Sequence, residues 1–307
     1  MKAVILDAAT LGQDIDLAPI QTLVSDLIVH STTTASQVDE HLGDAQLVLS
    51  NKVVLGASQL QGRKAVFVLA TGTNNVDQQA ARALSIPVYN VENYGADYVA
   101  QHTWMLILSL AGRYPQYQAA VAQGQWQTNP YFCINTYATT QLHGKHLVLQ
   151  GSGHIGRRVA SIAESFGMRV SVAARPGDST DSRPPLQQLL PEADVLSFHC
   201  PLTSHTRHLL NSDTLAQVKP GCLVVNCARG GVIDEGACLT ALRAGDIAGL
   251  ATDVLPTEPP VAGHPLLDAL AEPLNLVITP HNAWISPEAR HNIVRLTALN
   301  MQRFLAG

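Results

Sequence analysis

Three residues near the C-terminal end carry reactive side chains in segments too specific to be chance loops. Arg229 lies in Asn226-Cys227-Ala228-Arg229-Gly230-Gly231, Glu258 in Asp253-Val254-Leu255-Pro256-Thr257-Glu258-Pro259-Pro260, and His281 in Ile278-Thr279-Pro280-His281-Asn282-Ala283-Trp284. Each has an ordinary structural reading. Arg229 could bridge domains, Glu258 could be its solvated partner, and His281 could hydrogen-bond at a strand end. Read together they are the groups that reduction of a 2-oxo acid requires. A planar cation grips the carboxylate, a protonated imidazole donates to the carbonyl oxygen as negative charge develops there, and a carboxylate keeps that imidazole charged.

All three follow Gly151-Ser152-Gly153-His154-Ile155-Gly156, which itself follows the strand-like run His146–Gln150 and precedes a helical pattern over Arg157–Phe166. In this context the first glycine permits a tight turn, the second lets backbone approach a pyrophosphate, and the third lets helix and strand pack closely. The helix N-terminus adds free N–H groups and a positive dipole end. A dinucleotide is therefore expected at Gly151, Gly153, His154, Ile155 and Gly156. The next strand, Arg169–Ala173, ends in Ala174-Arg175-Pro176-Gly177, where an acidic residue would ordinarily accept from the ribose 2′-hydroxyl of NAD. Without that carboxylate a 2′-phosphate meets no repulsion, and Arg175 can pair with one, so NADP is favoured over NAD. The competing reading has Arg175 stacking on adenine, with NAD accepted.

The elements that must hold these residues alternate between strand and helix patterns, which predicts α/β architecture with parallel sheets. The first series has strands at Ala3–Asp7, Asp26–His30, Leu47–Ser50, Ala65–Leu69 and Pro87–Tyr89, then a long apolar helix from Ala96 to Gly112. The second series has strands at His146–Gln150, Arg169–Ala173, Val195–His199, Leu223–Asn226, Gly249–Thr252 and Leu276–Thr279. Six strands with a glycine loop after the first is the count of a full dinucleotide-binding domain. Pro287–Leu305 reads as a closing helix with Ile293, Leu296, Leu299, Met301 and Phe304 on its apolar face.

The chain has 307 residues, 46% of them hydrophobic, with a formal charge of −5. That is core enough for one large or two medium domains and gives no electrostatic footprint for nucleic acid or an anionic membrane. No apolar stretch approaches the length of a bilayer span, and no leader-like segment opens the chain. Five cysteines without metal-ligand spacing read as reduced thiols in a cytoplasmic protein. His205 and His208 are not joined by the further ligands that a metal site needs. Cys227 reads as a small packing residue rather than a nucleophile, since hydride transfer needs none. Trp284 either walls the pocket or packs.

With these segments in view, the chain resembles the D-isomer-specific 2-hydroxyacid dehydrogenases, in the glycerate dehydrogenase/hydroxypyruvate reductase branch. The likeness runs through Ala70-Thr71-Gly72-Thr73-Asn74-Asn75-Val76-Asp77, Val99-Ala100-Gln101-His102-Thr103, the glycine loop, His199-Cys200-Pro201-Leu202-Thr203 and the segments around Arg229, Glu258 and His281. The resemblance implies two Rossmann-like doubly wound parallel-sheet lobes with a cleft between them: residues 1–97 plus 285–307 for substrate, 98–284 for dinucleotide. It implies Arg229 as the substrate-binding arginine, Glu258 as its acidic partner and His281 as the acid/base. Cys200, Pro201 and Thr206 would line the cofactor, and Cys227 and Asp253 would hold the nicotinamide amide. Thr71 and Gly72 would cradle the substrate carboxylate, with Ser50 and Asn51 on a facing loop, and the assembly would be a homodimer built on the cofactor lobe. Hydroxypyruvate or glyoxylate is the expected substrate, with bulkier 2-oxo acids as the alternative. A reading of another class is a non-catalytic dinucleotide sensor of the corepressor kind. Two residues depart from the family pattern: Ala174, which replaces the usual acid, and Gln150, where the strand before the glycine loop is usually apolar.

Overall fold

Short runs rich in Val, Ile and Leu, separated by helical segments long enough for crossovers, build two wholly parallel sheets. The computed structural model describes residues 1–307, which form one unit of residues 1–95 and 284–307 and another of residues 96–283. Strands β1 (Lys2–Ile5), β2 (Asp26–Val29), β3 (Leu47–Ser50), β4 (Ala65–Val68) and β5 (Val88–Tyr89) belong to the first unit. Strands β6 (His146–Gln150), β7 (Arg169–Val172), β8 (Val195–Phe198), β9 (Cys222–Asn226), β10 (Ile247–Thr252) and β11 (Leu276–Ile278) belong to the second. The four longest helices are α1 (Ala96–Ala111), α2 (His154–Ser165), α3 (Glu235–Ala244) and α4 (Pro287–Ala306).

In the first unit the strand order is β2-β1-β3-β4-β5. The inner strands are buried on both faces, so they read as continuous apolar runs rather than alternating ones. Helix α4 closes this core: Phe304 meets Phe67 edge-on at 6.1 Å, and Phe67 stacks on Tyr89 at 5.1 Å. Ser286 caps α4 by accepting from the Ala289 amide, with Pro287 in its first turn. Its buried face is Ile293, Val294, Thr297, Ala298 and Met301, whereas Leu299 faces solvent. The difference from the sequence expectation is one of angle: 293, 297 and 301 step by four and share a face that 299 cannot join.

In the second unit the order is β11-β10-β9-β8-β6-β7. The chain runs outward from β6 to β7, returns, and continues on the other side through β8, so the order reverses between β6 and β8. In open parallel sheets, ligands bind outside the carboxyl ends of the strands at such a reversal. Leu147, Val148 and Leu149 of β6 are fully buried, each contributing about 1.5–3 kcal/mol of apolar burial. Helices α1 and α2 lock together where Trp104 stacks on Phe166 at 4.7 Å and donates its indole N–H to the Val159 carbonyl. Helix α2 begins at His154, earlier than its apolar periodicity indicates, because Gly153 is its N-cap and His154 already lies in the first turn.

Candidate active site

Arg229, Glu258 and His281 lie on the loops that leave the carboxyl ends of β9, β10 and β11, three neighbouring parallel strands. The β9 loop is shaped by Asn226, whose side chain accepts from the Ala228 amide and donates to the Arg229 carbonyl, both at 3.0 Å. Gly230 then passes so near the β10 loop that a Cβ there would lie 2.0 Å from the Leu255 carbonyl carbon. Only glycine permits that approach, and it sets the Arg229 loop against the loop that carries Glu258. The Arg229 side chain is exposed, with one hydrogen bond to the adjacent Ala228 carbonyl.

Glu258 is anchored through Oε1, which accepts from the Leu255 amide at 2.8 Å. Its Oε2 lies 2.5 Å from Nδ1 of His281. The carboxylate therefore accepts the Nδ1 proton and fixes the imidazole tautomer, so proton exchange falls to Nε2. His281 has a left-handed backbone, φ +52°, a conformation that a non-glycine residue holds only where its surroundings impose it.

Asp253 imposes it. Its carbonyl accepts the His281 amide at 2.8 Å, and its buried carboxylate accepts from the Thr279 hydroxyl at 2.6 Å and from the Asn282 and Ala283 amides at 3.0 and 3.1 Å. His102 of α1 completes the knot, with Nε2 3.0 Å from the Thr279 hydroxyl and 3.4 Å from the Asp253 carboxylate. Burial alone would push the Asp253 carboxyl up. The bonds from His102, Thr279, Ala283 and Asn282 outweigh it and hold the group below its ordinary value. Asp253 thus holds the His281 loop, a task separate from the amide contact that the resemblance implies. Sequence reasoning had no signal for the part played by His102, which is distant in the chain.

The glycine loop closes over the sheet reversal. A Cβ on Gly151, whose φ is +121°, would lie 2.5 Å from the His199 carbonyl oxygen at the end of β8, and one on Gly156 would lie 2.1 Å from the Gly151 oxygen. A Cβ on Gly153 would meet nothing within 4 Å. Two glycines are thus required by packing, and the third faces open space at the N-terminus of α2, with His154 and Ile155 in its first turn. That cradle fits a pyrophosphate. Nearby, the Thr206 hydroxyl donates to the Pro201 carbonyl at 2.6 Å and accepts from the Thr203 amide at 2.7 Å, pinning the turn after Cys200.

At the end of β7, Ala174 presents no acid and the Arg175 side chain is exposed. Two carboxylates share the cleft here: Asp178, which interacts with the Arg175 charge, and Asp181, which is already engaged. Asp181 accepts from the Arg175 amide at 2.8 Å and pairs with Arg183, whose guanidinium holds the Asp181 carboxyl well below the usual carboxylate range.

Four cysteines are buried and Cys133 is half-buried. Burial pushes the Cys200 thiol up to about 11 and the Cys227 thiol up to about 12, and it raises Cys222 and Cys238 further. Thiolates at these four positions are scarce at neutral pH. A disulfide reagent should therefore titrate one thiol rapidly in the native protein and all five after unfolding. Rapid modification of Cys227 would reopen its reading as a nucleophile.

In the first unit Ser50 and Asn51 are buried. Ser50 donates to the Val53 carbonyl, and the Asn51 side chain donates to the Thr10 hydroxyl. Asp7 gathers the amides of Asn51, Lys52 and Val53 on its carboxylate. This organising role was invisible in the sequence, where Asp7 is merely the end of a strand. Thr71 and Gly72 follow β4. The Thr71 hydroxyl is tied to the Val91 carbonyl and its carbonyl accepts from Asn90, so the turn is held from both sides.

A doubly wound parallel sheet with a phosphate-cradling glycine loop and a carboxylate-paired histidine on the same edge defines a nicotinamide-dependent dehydrogenase. Residues 104–283 match the family model for the D-isomer specific 2-hydroxyacid dehydrogenase, NAD binding domain. A putative 2-hydroxyacid dehydrogenase of Haemophilus influenzae is 35% identical over 311 residues, covering 99% of this chain and 98% of that protein. A glycerate dehydrogenase of Methylorubrum extorquens is 36% identical over 280 residues, covering 90% and 88%. Among solved structures, the TT0316 protein of Thermus thermophilus superposes with a TM-score of 0.84 at 28% identity, covering 100% of this chain and 97% of that one. The chain belongs to the D-isomer specific 2-hydroxyacid dehydrogenase family.

Proposed function

We propose that the enzyme reduces a small 2-oxo acid, hydroxypyruvate to D-glycerate or glyoxylate to glycolate, with NADP(H) favoured over NAD(H). The observation that carries the catalytic assignment is the 2.5 Å pair of His281 and Glu258 on the strand edge that also bears Arg229. The substrate class is supported by the name of the glycerate dehydrogenase relative.

The nicotinamide, when bound, supplies the hydride that adds to the carbonyl carbon. Arg229 holds the substrate carboxylate through its fork. His281, protonated, gives the Nε2 proton to the carbonyl oxygen as the C–H bond forms, and Glu258 stabilises the imidazolium and keeps the ring oriented. In the oxidative direction neutral His281 takes the hydroxyl proton. Gly151, Gly153, His154, Ile155 and Gly156 would hold the pyrophosphate, Arg175 the 2′-phosphate, Cys200, Pro201 and Thr206 the adenosine side, and Cys227 and Asp253 the nicotinamide amide. The amides near Thr71 and Gly72 would receive the substrate carboxylate. Ser50 and Asn51 would contribute through the shape of their loop, since their side chains are engaged by Val53 and Thr10. The first unit serves as the substrate lobe and the second as the dinucleotide lobe.

A panel of 2-oxo acids assayed with NADPH and NADH, followed by loss of reduced-nicotinamide absorbance, tests this reading. Turnover fastest with hydroxypyruvate or glyoxylate supports it. Preference for a bulkier acid moves the substrate, and cofactor binding without turnover returns the sensor reading. Arg175→Ala should weaken NADPH binding about tenfold or more, the size of a lost charge-assisted hydrogen bond, and leave NADH nearly untouched. Equal effects on both, by fluorescence titration, would remove Arg175 from phosphate recognition.

The protein is read as a cytoplasmic homodimer. No helix is long and apolar enough to cross a membrane, and four thiols are buried in reduced form. Helix α1 carries exposed Met105 and Leu108 beside exposed Tyr114, an apolar surface that a second copy would cover. Light scattering should return twice the mass of the 32.8 kDa chain, and Leu108→Lys should shift it toward the monomer. A monomeric wild-type protein at micromolar concentration would rule the dimer out.

A further inference from the structure

Gln150 ends β6 directly before the glycine loop and is 2% exposed. An amide is an unusual residue to bury at the end of an apolar strand. Its Nε2 donates to the Ala174 carbonyl at 3.1 Å, across the end of β7. That bond orients the amide, because the flipped orientation would set two carbonyl oxygens against each other. The remaining atom, Oε1, is therefore an acceptor, and it is buried with no hydrogen-bond partner in the protein. Buried acceptors are normally satisfied.

Gln150 lines a cleft of about 600 Å³ together with Ala174, Arg175, Gly177, Arg183 and His205. The cleft is a built feature. Gly177 has φ +81°, and its Cα lies so close to the His205 ring that a Cβ would come within 2.9 Å of it. Ala174 is bonded to the Pro184 carbonyl through its amide and to Gln150 through its own carbonyl. The position that in NAD-binding sheets supplies an acceptor for the ribose is Ala174, which has none, and the unpartnered acceptor of Gln150 stands beside it.

We propose that Gln150 is a cofactor-recognition residue whose Oε1 accepts a hydrogen bond from the 3′-hydroxyl of the adenosine ribose, the hydroxyl that a 2′-phosphate leaves free, so that a neutral acceptor replaces the absent β7 carboxylate. This rests on the dinucleotide reading of the cleft and deepens it. A carboxylate there would repel a 2′-phosphate, whereas an amide serves the ribose without doing so. Gln150 supplies the ribose contact, and Arg175 is left to the phosphate.

The test is a double-mutant cycle between protein and ligand, with affinities from isothermal titration calorimetry. AMP, 2′-deoxy-AMP and 3′-deoxy-AMP are titrated into the wild-type protein and into Gln150→Met, which keeps length and volume but has no amide. Wild type should bind 2′-deoxy-AMP about as well as AMP, and 3′-deoxy-AMP several-fold to about tenfold more weakly than AMP, the range of one neutral hydrogen bond. In Gln150→Met that difference should vanish, while AMP itself weakens by a similar factor. A preserved difference, meaning additive effects, would overturn the proposal, because it would show that Gln150 acts only by holding the loop. If Gln150→Met does not fold, the wild-type titrations still decide: equal affinity for all three nucleotides overturns it. If AMP, NADPH and NADH all fail to bind wild type, the dinucleotide reading itself falls. NADPH binding with equal deoxy affinities removes Gln150 alone.

Discussion

His281→Ala is expected to lower kcat by about two to four orders of magnitude, the usual worth of a positioned general acid, while the Kd for NADPH stays near the wild-type value. The imidazole is held by Glu258 at Nδ1, and the main-chain N–H of His281 donates to the Asp253 carbonyl. Only the side chain changes, and the Asp253 cage around Thr279, Asn282 and Ala283 remains. Because residue 281 sits at φ +52°, His281→Asn is a useful companion: asparagine tolerates that region better than most residues. It should fold at least as well and be equally slow, which separates backbone strain from lost chemistry. Stopped-flow turnover with hydroxypyruvate checks the rate and fluorescence titration checks the cofactor. Near-normal turnover in either variant would take His281 out of the acid/base role.

Arg229→Ala should reduce kcat/KM by about a thousandfold or more, with KM rising and kcat falling together. Two losses combine. A charge-assisted grip on the substrate carboxylate is worth about 1.5–3 kcal/mol per bond, and removing a group that stabilises charge on the carbonyl costs about 10²–10³ in rate. The fold should not suffer, since the side chain is exposed and the loop is held by Asn226 and by the close passage of Gly230. An unchanged Tm alongside the kinetic loss is the expected pattern. Arg229→Lys should recover charge but not the planar fork, leaving most of the loss in place. Unchanged KM and kcat in Arg229→Ala would sink the assignment.

Much of the architecture was legible because parallel strands buried on both faces appear as bare apolar runs, and β3, β4, β6, β8 and β9 are of this kind. The glycine loop was legible from its spacing between a strand pattern and a helix pattern, and Gly151 and Gly156 answer steric demands within the protein while Gly153 faces open space. Less was legible where several faces of one helix are apolar. In α4, Leu299 belongs to the apolar pattern yet faces solvent, because an apolar residue is not obliged to be buried. Ser50 and Asn51 carry side chains that could reach a substrate, but Ser50 bonds within its own loop and Asn51 bonds to the distant Thr10. Nothing local to those residues announces Asp7, which lies far away in sequence and gathers the loop amides.

The candidate chemistry of Arg229, Glu258 and His281 was legible in sequence alone, since side-chain type and motif order suffice to name a cation, an anion and a proton carrier. The missing acid at Ala174 was determined in the same way. Only the tertiary structure decided how His281 is held: residues 102, 253 and 279 come from a helix and two different strand ends, and no spacing rule links them. It also decided the meaning of Gln150. A lone polar residue in an apolar strand is ambiguous until its neighbours show which of its atoms is satisfied and which is buried without a partner.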